Sequence, residues 1–207
     1  MNAEPAIVPD VDTLAALFFA DRAALGRFEE VAPADMPPVY RKLLDHEHHM
    51  TVTVEEHHGG PVDVKVLRRR IAPPRAPHTS NGKAAPSTSD APTPEPTHYA
   101  REILLIRQRD GAVVQYGIMR VNFAFLGQAV RREIESERTP LGRVLIEHDV
   151  LRRIHLFSLW RITPGDRLAE ALQIDPVRDA FTPIYGRTAL IYCNDEPAIE
   201  LLEIVKQ

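Results

Sequence analysis

The chain has 207 residues, 44% of them hydrophobic and 26% charged, an ordinary composition for a folded globular protein and enough for one good core. A net charge of −4 and a pI near 6.1 lack the basic footprint that nucleic acid demands, so no nucleic-acid partner is expected. The apolar stretch Leu14 to Ala20 is too short for a membrane span and lacks signal-peptide flanks, and Cys193 stands alone, so the reading is cytoplasmic, with no membrane partner.

Residues 1–11 are polar and proline-containing and read as frayed. Leu14, Leu17, Phe18, Leu25 and Phe28 recur at helical spacing, which predicts one helix over 12–31 within an N-terminal extension of residues 1–38. No second helix follows there to read DNA. Val39 to Asp45 reads as a short helix after Pro38. Met50 to Glu55 alternates Thr and Val, a strand pattern. Beyond Gly59-Gly60-Pro61, a second strand carries Val62, Val64 and Val66. From Ala72 to Thr97 the composition collapses to small and proline residues, which predicts a disordered insert inside a domain spanning 39–207.

Tyr99 to Phe123 reads as a hairpin around Asp110-Gly111, a pair favoured in two-residue turns. Arg101 shares a face with Ile103 and Leu105, because side chains two apart in a strand point the same way. An arginine on an apolar face needs an anion. Leu126 to Glu137 is amphipathic, and a second helix runs from Pro140 to His148 with Thr139 placed to cap it. Val150 to Ile162 reads as a strand with Ile154, Leu156, Trp160 and Ile162 on one side, and Asp166 to Leu172 as a short helix. Arg187 to Cys193 and Ala198 to Val205 form a last hairpin around residues 194–197. About six strands, joined mostly as neighbours, predict an α+β domain: an antiparallel sheet with flanking short helices.

Four segments, in order, resemble the chorismate pyruvate-lyase family. They are LLDHEHHMT (Leu43 to Thr51), YAREILL (Tyr99 to Leu105), TPLGRVL (Thr139 to Leu145) and YGRTALIYCNDEPAIELLEI (Tyr185 to Ile204). The similarity is greatest to the bacterial chorismate-lyase-like proteins. It implies a chorismate-lyase-like fold, no cofactor, no metal, and a monomer or weak dimer. It also implies elimination of pyruvate from chorismate to give 4-hydroxybenzoate. The alternative is non-catalytic binding of an aromatic carboxylate, since the same fold serves as the ligand-sensing domain of some bacterial transcription regulators.

Carried over by position, the family's site implies Met50, Arg101, Leu141 and a glutamate of the last strand. Glu200 and Glu203 both qualify; three apart in a strand, they point to opposite faces, so only one faces the site. Glu203 is favoured, because LLEI best resembles the family's local pattern. Arg101 would supply a fork for a carboxylate, and Glu203 an acid or base. Arg187 is a secondary candidate for anion contact. The structural alternatives are an Arg101 paired with a neighbouring strand's glutamate, and a Met50 that merely fills the core. His46, His48, His49, His57 and His58 cluster around Glu47, without HExxH or a cysteine pair, and read as surface histidines.

Overall fold

The alternating apolar runs build long strands. In the computed structural model, which describes residues 7–71, 97–175 and 182–207, seven of them form one antiparallel sheet. They are β1 (Gly26–Glu30), β2 (Val62–Ile71), β3 (His98–Arg107), β4 (Val113–Asn122), β5 (Arg152–Pro164), β6 (Ile184–Cys193) and β7 (Glu196–Val205). Their order across the sheet is β1-β5-β6-β7-β4-β3-β2. The helices are short: α1 (Val11–Ala15), α2 (Pro38–Leu44), α3 (Met50–His58), α4 (Gln128–Ser136), α5 (Leu141–Glu147) and α6 (Asp166–Ala171). The fold is α+β, as the order of elements in the sequence suggests. No helix among the described residues is long and apolar enough to cross a membrane.

Both faces of the sheet are covered, which is why its central strands are apolar almost throughout. One face carries Leu104, Tyr116, Ile118, Leu202 and Ile204 and packs on α1 and α6 through Leu14 and Leu168. The other carries Met119, Ile191 and Leu201 against α4 and α5, and Leu105, Tyr185 and Val205 against α2 and α3. Successive residues of β7 therefore serve different cores.

Several expectations are corrected. Met50 to Glu55 is not a strand: Met50, Thr51 and Val54 are buried at helical spacing in α3, which Gly59 ends with a left-handed φ of 68°. The β-propensity of Val and Thr yields here to burial of one helical face. The single helix expected over 12–31 stops at Ala15, and Gly26–Glu30 becomes the seventh strand, paired with β5. Gly26 makes that pairing possible, since its φ is 112° and a Cβ there would lie 2.1 Å from the Thr163 carbonyl oxygen.

The connection between β3 and β4 spans residues 108–112 rather than two residues, with Gly111 left-handed and the Asp110 carboxylate accepting from Arg107 and Ala112. The tight two-residue turn lies instead at Asn194-Asp195, both at positive φ, between β6 and β7. A bulge between Leu156 and Ser158 turns β5 over, so Ile154 and Leu156 lie on one face of the sheet while Trp160 and Ile162 lie on the other. Thr139 does not cap α5; its hydroxyl donates to Glu133 at 2.6 Å, and Pro140 occupies the cap position. The expected insert lies outside the described residues except for Thr97, whose carbonyl accepts the Phe123 N–H.

Candidate functional site

Strands β3 and β4 pair so that Arg101 stands opposite Met119, Ile103 opposite Gly117 and Leu105 opposite Gln115. Above this row, the first turns of α3 and α5 leave a cavity of about 50 Å³, several times the ~10–15 Å³ that one water needs. Met50, Arg101, Leu141, Arg187 and Glu203 all line it. Glu200 does not. It points to the opposite face of β7, where Arg120 Nε and Nη2 both donate to its Oε1, at 2.8 and 2.5 Å.

Arg101 is only 1% exposed. Its Nη1 donates to the Ile134 carbonyl at 3.3 Å, and its Nε has no partner. Among the described residues no carboxylate comes within ion-pair distance of it; Glu137, the acidic group that acts on it, is engaged by Tyr99 at 3.1 Å and Arg69 at 2.9 Å. Burial pulls the Arg101 guanidinium below its ordinary pKa, while Tyr99 and Glu137 act the other way. Burial pushes the Tyr99 phenol up to about 12, so it is neutral and donates to Glu137.

Arg187 is fully buried and differently placed. Its Nε donates to Glu203 Oε2 at 2.7 Å, Nη1 to the His46 carbonyl at 2.7 Å and Nη2 to the His48 carbonyl at 3.1 Å. Glu203 balances its charge, and the guanidinium straps the connection between α2 and α3 to the sheet. His46 donates from Nε2 to the Leu43 carbonyl at 2.8 Å, which leaves Nδ1 to accept from the His48 N–H at 3.1 Å and Arg187 at 3.3 Å. Burial first, then Arg187, lowers the His46 pKa to about 4. His49, on the cavity wall, accepts at Nε2 from Arg152 Nε at 2.6 Å; burial and then Arg152 lower it to about 4. Both rings are neutral at pH 7. The cavity thus holds two guanidiniums and one carboxylate, a surplus of one positive charge.

Helix α3 begins at this cavity, with Met50 and Thr51 in its wall and no side-chain cap at His49, and the N-terminal end of a helix favours negative charge. Gly142, in the first turn of α5, lets the two helices meet: a Cβ there would lie 3.0 Å from Thr51 Oγ1 and 3.1 Å from His49 Cβ. Gln115 also lines the cavity; it is 3% exposed and its Oε1 has no partner. Sequence reasoning passed over it, although a lone amide in the run Val113 to Met119 was a signal. Among the described residues no three His, Cys, Asp or Glu side chains converge as a metal site would need; His57 and His58 sit in the last turn of α3.

The sequence matches no family model and none of the curated proteins. Among solved structures, PhnF from Mycobacterium smegmatis aligns over 78% of this chain and 64% of its own, at 14% identity and a TM-score of 0.50. The chain therefore spans less than two-thirds of that protein's length. The fold is chorismate-lyase-like. The effector domain of PhnF alone aligns over 77% of this chain and 88% of its own, at 14% identity and a TM-score of 0.48. The C-terminal domain of the histidine utilization repressor from Pseudomonas syringae gives 15% identity, 70% and 90% coverage, and a TM-score of 0.41. Such likeness is one of fold, and a chorismate-lyase-like fold brings no activity with it.

Proposed function

We propose that this protein binds a small organic monoanion, an aromatic or similarly flat carboxylate, in the cavity beneath α3 and α5, and does not turn it over. The observation that carries the reading is Arg101, a guanidinium 1% exposed with an Nε that lacks a partner and no carboxylate within ion-pair distance among the described residues. A buried charge left this way is costly, and a ligand carboxylate would relieve it through a forked pair of hydrogen bonds. The first-turn N–H groups of α3 favour the same charge. Met50, Ile103, Met119 and Leu141 supply an apolar enclosure for the body of the ligand. One surplus cation matches one carboxylate.

The lyase reading has its own support, because Met50, Arg101, Leu141 and Glu203 line one cavity. Two features weigh against it. Chorismate brings two carboxylates to a single surplus charge, and Oε2 of Glu203 is already held by Arg187 at 2.7 Å. The test joins a thermal-shift panel of aromatic monocarboxylates with a pyruvate-coupled assay on chorismate. Stabilisation by monocarboxylates without pyruvate release is the expected result. Pyruvate and 4-hydroxybenzoate in equal amounts, abolished in Arg101→Ala, would establish the lyase instead.

A further inference from the structure

Among the described residues, three buried side-chain atoms lack a hydrogen-bond partner: Arg68 Nη2, Arg101 Nε and Gln115 Oε1. Arg68 belongs to the opposite face of the sheet, where it pairs with Glu102. Arg101 and Gln115 both line the cavity described above. They differ in kind, since one is a cationic donor and the other a neutral amide acceptor. The Gln115 Oε1 has no hydrogen-bond partner among the described residues, although the residue is 3% exposed in the inner strand β4. Buried amide oxygens are normally satisfied, so one without a partner in a cavity-lining residue calls for an explanation.

The register fixes their separation. Gln115 stands opposite Leu105, four residues along β3 from Arg101, a rise of roughly 13 Å at about 3.3 Å per residue. Between them lie Ile103 and, opposite it, Gly117, which adds no side chain to the cavity floor. The cavity therefore has a charged end at Arg101 and a neutral polar end at Gln115; between them lie Ile103 and Gly117 and, beside Gly117 on β7, Glu203 in its ion pair with Arg187.

From this arrangement we infer that Gln115 is a specificity-determining residue, and that the ligand is an elongated monoanion carrying a neutral hydrogen-bonding group, such as a hydroxyl, at the end remote from its carboxylate. The inference rests on the binding reading above and adds the polarity of the ligand's far end. Arg101 holds the carboxylate. Gln115 accepts from, or donates to, the remote group. A ligand without that group leaves the amide buried and idle, and a site built for a hydrogen bond discriminates strongly against an analogue that cannot make it.

The test uses six acids in three pairs: benzoate, phenylacetate and 3-phenylpropionate, each beside its 4-hydroxy counterpart. Their dissociation constants are measured by calorimetry on the wild type and on Gln115→Met, which keeps the length of the side chain and removes its amide. At one or more of the three lengths the hydroxy acid is expected to bind the wild type at least tenfold more tightly, a preference that shrinks to within twofold in Gln115→Met. The side-chain amide resonance of Gln115 in 15N-labelled wild type should move with the preferred hydroxy acid and much less with its partner, a reading that holds even if the variant does not fold. Equal binding of both members of every pair overturns the role of Gln115 and leaves the binding reading standing. A hydroxy preference that survives in Gln115→Met, or an unmoved Gln115 resonance, also overturns it. No binding of any of the six overturns the role and the binding reading together.

Discussion

Arg187 and Glu203 stand directly opposite each other on β6 and β7 and close a buried ion pair of 2.7 Å beneath the turn from α2 into α3. The pair does two things at once. It removes one positive charge from the cavity's account, and it aims the rest of the guanidinium at the carbonyls of His46 and His48. Replacing Arg187 by Met should cost about 3–5 kcal/mol in urea unfolding, because Glu203 is left buried without its partner. Adding Glu203→Leu to that variant should recover part of the loss, and the double-mutant cycle should show coupling above ~1 kcal/mol.

Gly142 predicts a second result. Its replacement by Ala places a methyl group about 3 Å from Thr51 Oγ1 and His49 Cβ, closer than such contacts normally run. Helix α5 must then move off α3 at a cost of about 1–3 kcal/mol. Since both helices wall the cavity, Gly142→Ala should also weaken carboxylate binding, read by calorimetry beside the wild type.

The histidines set a pH dependence. His46, His49 and His58 all have folded-state pKa values lowered to about 4, with burial the largest cause in each. Above pH 6.5 they are neutral whether folded or not, and contribute nothing. Between 6.5 and 4 the unfolded chain takes up protons that the folded chain resists, so stability falls as the pH falls, and the loss levels off below about 4. Urea midpoints measured from pH 7.5 to 4.5 should decline through this window, and His49→Gln should flatten the decline.

Much of the frame was legible from alternation alone. The pairs β3–β4 and β6–β7 announce themselves by long apolar runs around turn residues, and Arg101 by its place among Ile103 and Leu105. Short elements were not legible. β1 owes its existence to the φ of Gly26 and to pairing with β5, which lies more than a hundred residues away. In α3, a Thr-Val alternation that suits a strand is overridden by burial at helical spacing. The bulge in β5 leaves no mark in the hydrophobic pattern, yet it reverses the facing of Trp160 and Ile162.

At the site, the choice between Glu200 and Glu203 turned on which face of β7 meets the helices, and that depends on β7 pairing with both β4 and β6. The strap from Arg187 to His46 and His48 joins residues about 140 apart, beyond the reach of any local motif.

The central claim is that Arg101 is kept for a ligand rather than for the fold, and the stability of Arg101→Met without ligand tests it most directly. Urea unfolding in a buffer free of carboxylates compares the variant with the wild type. Because Arg101 has no ion pair among the described residues, only a 3.3 Å hydrogen bond to the Ile134 carbonyl and the contact with the Tyr99 hydroxyl, its removal should leave the free protein as stable or raise its stability by about 1–4 kcal/mol, while carboxylates no longer stabilise it. A loss of about 3–5 kcal/mol, with carboxylates still stabilising the variant, would contradict the account and make Arg101 a structural cation.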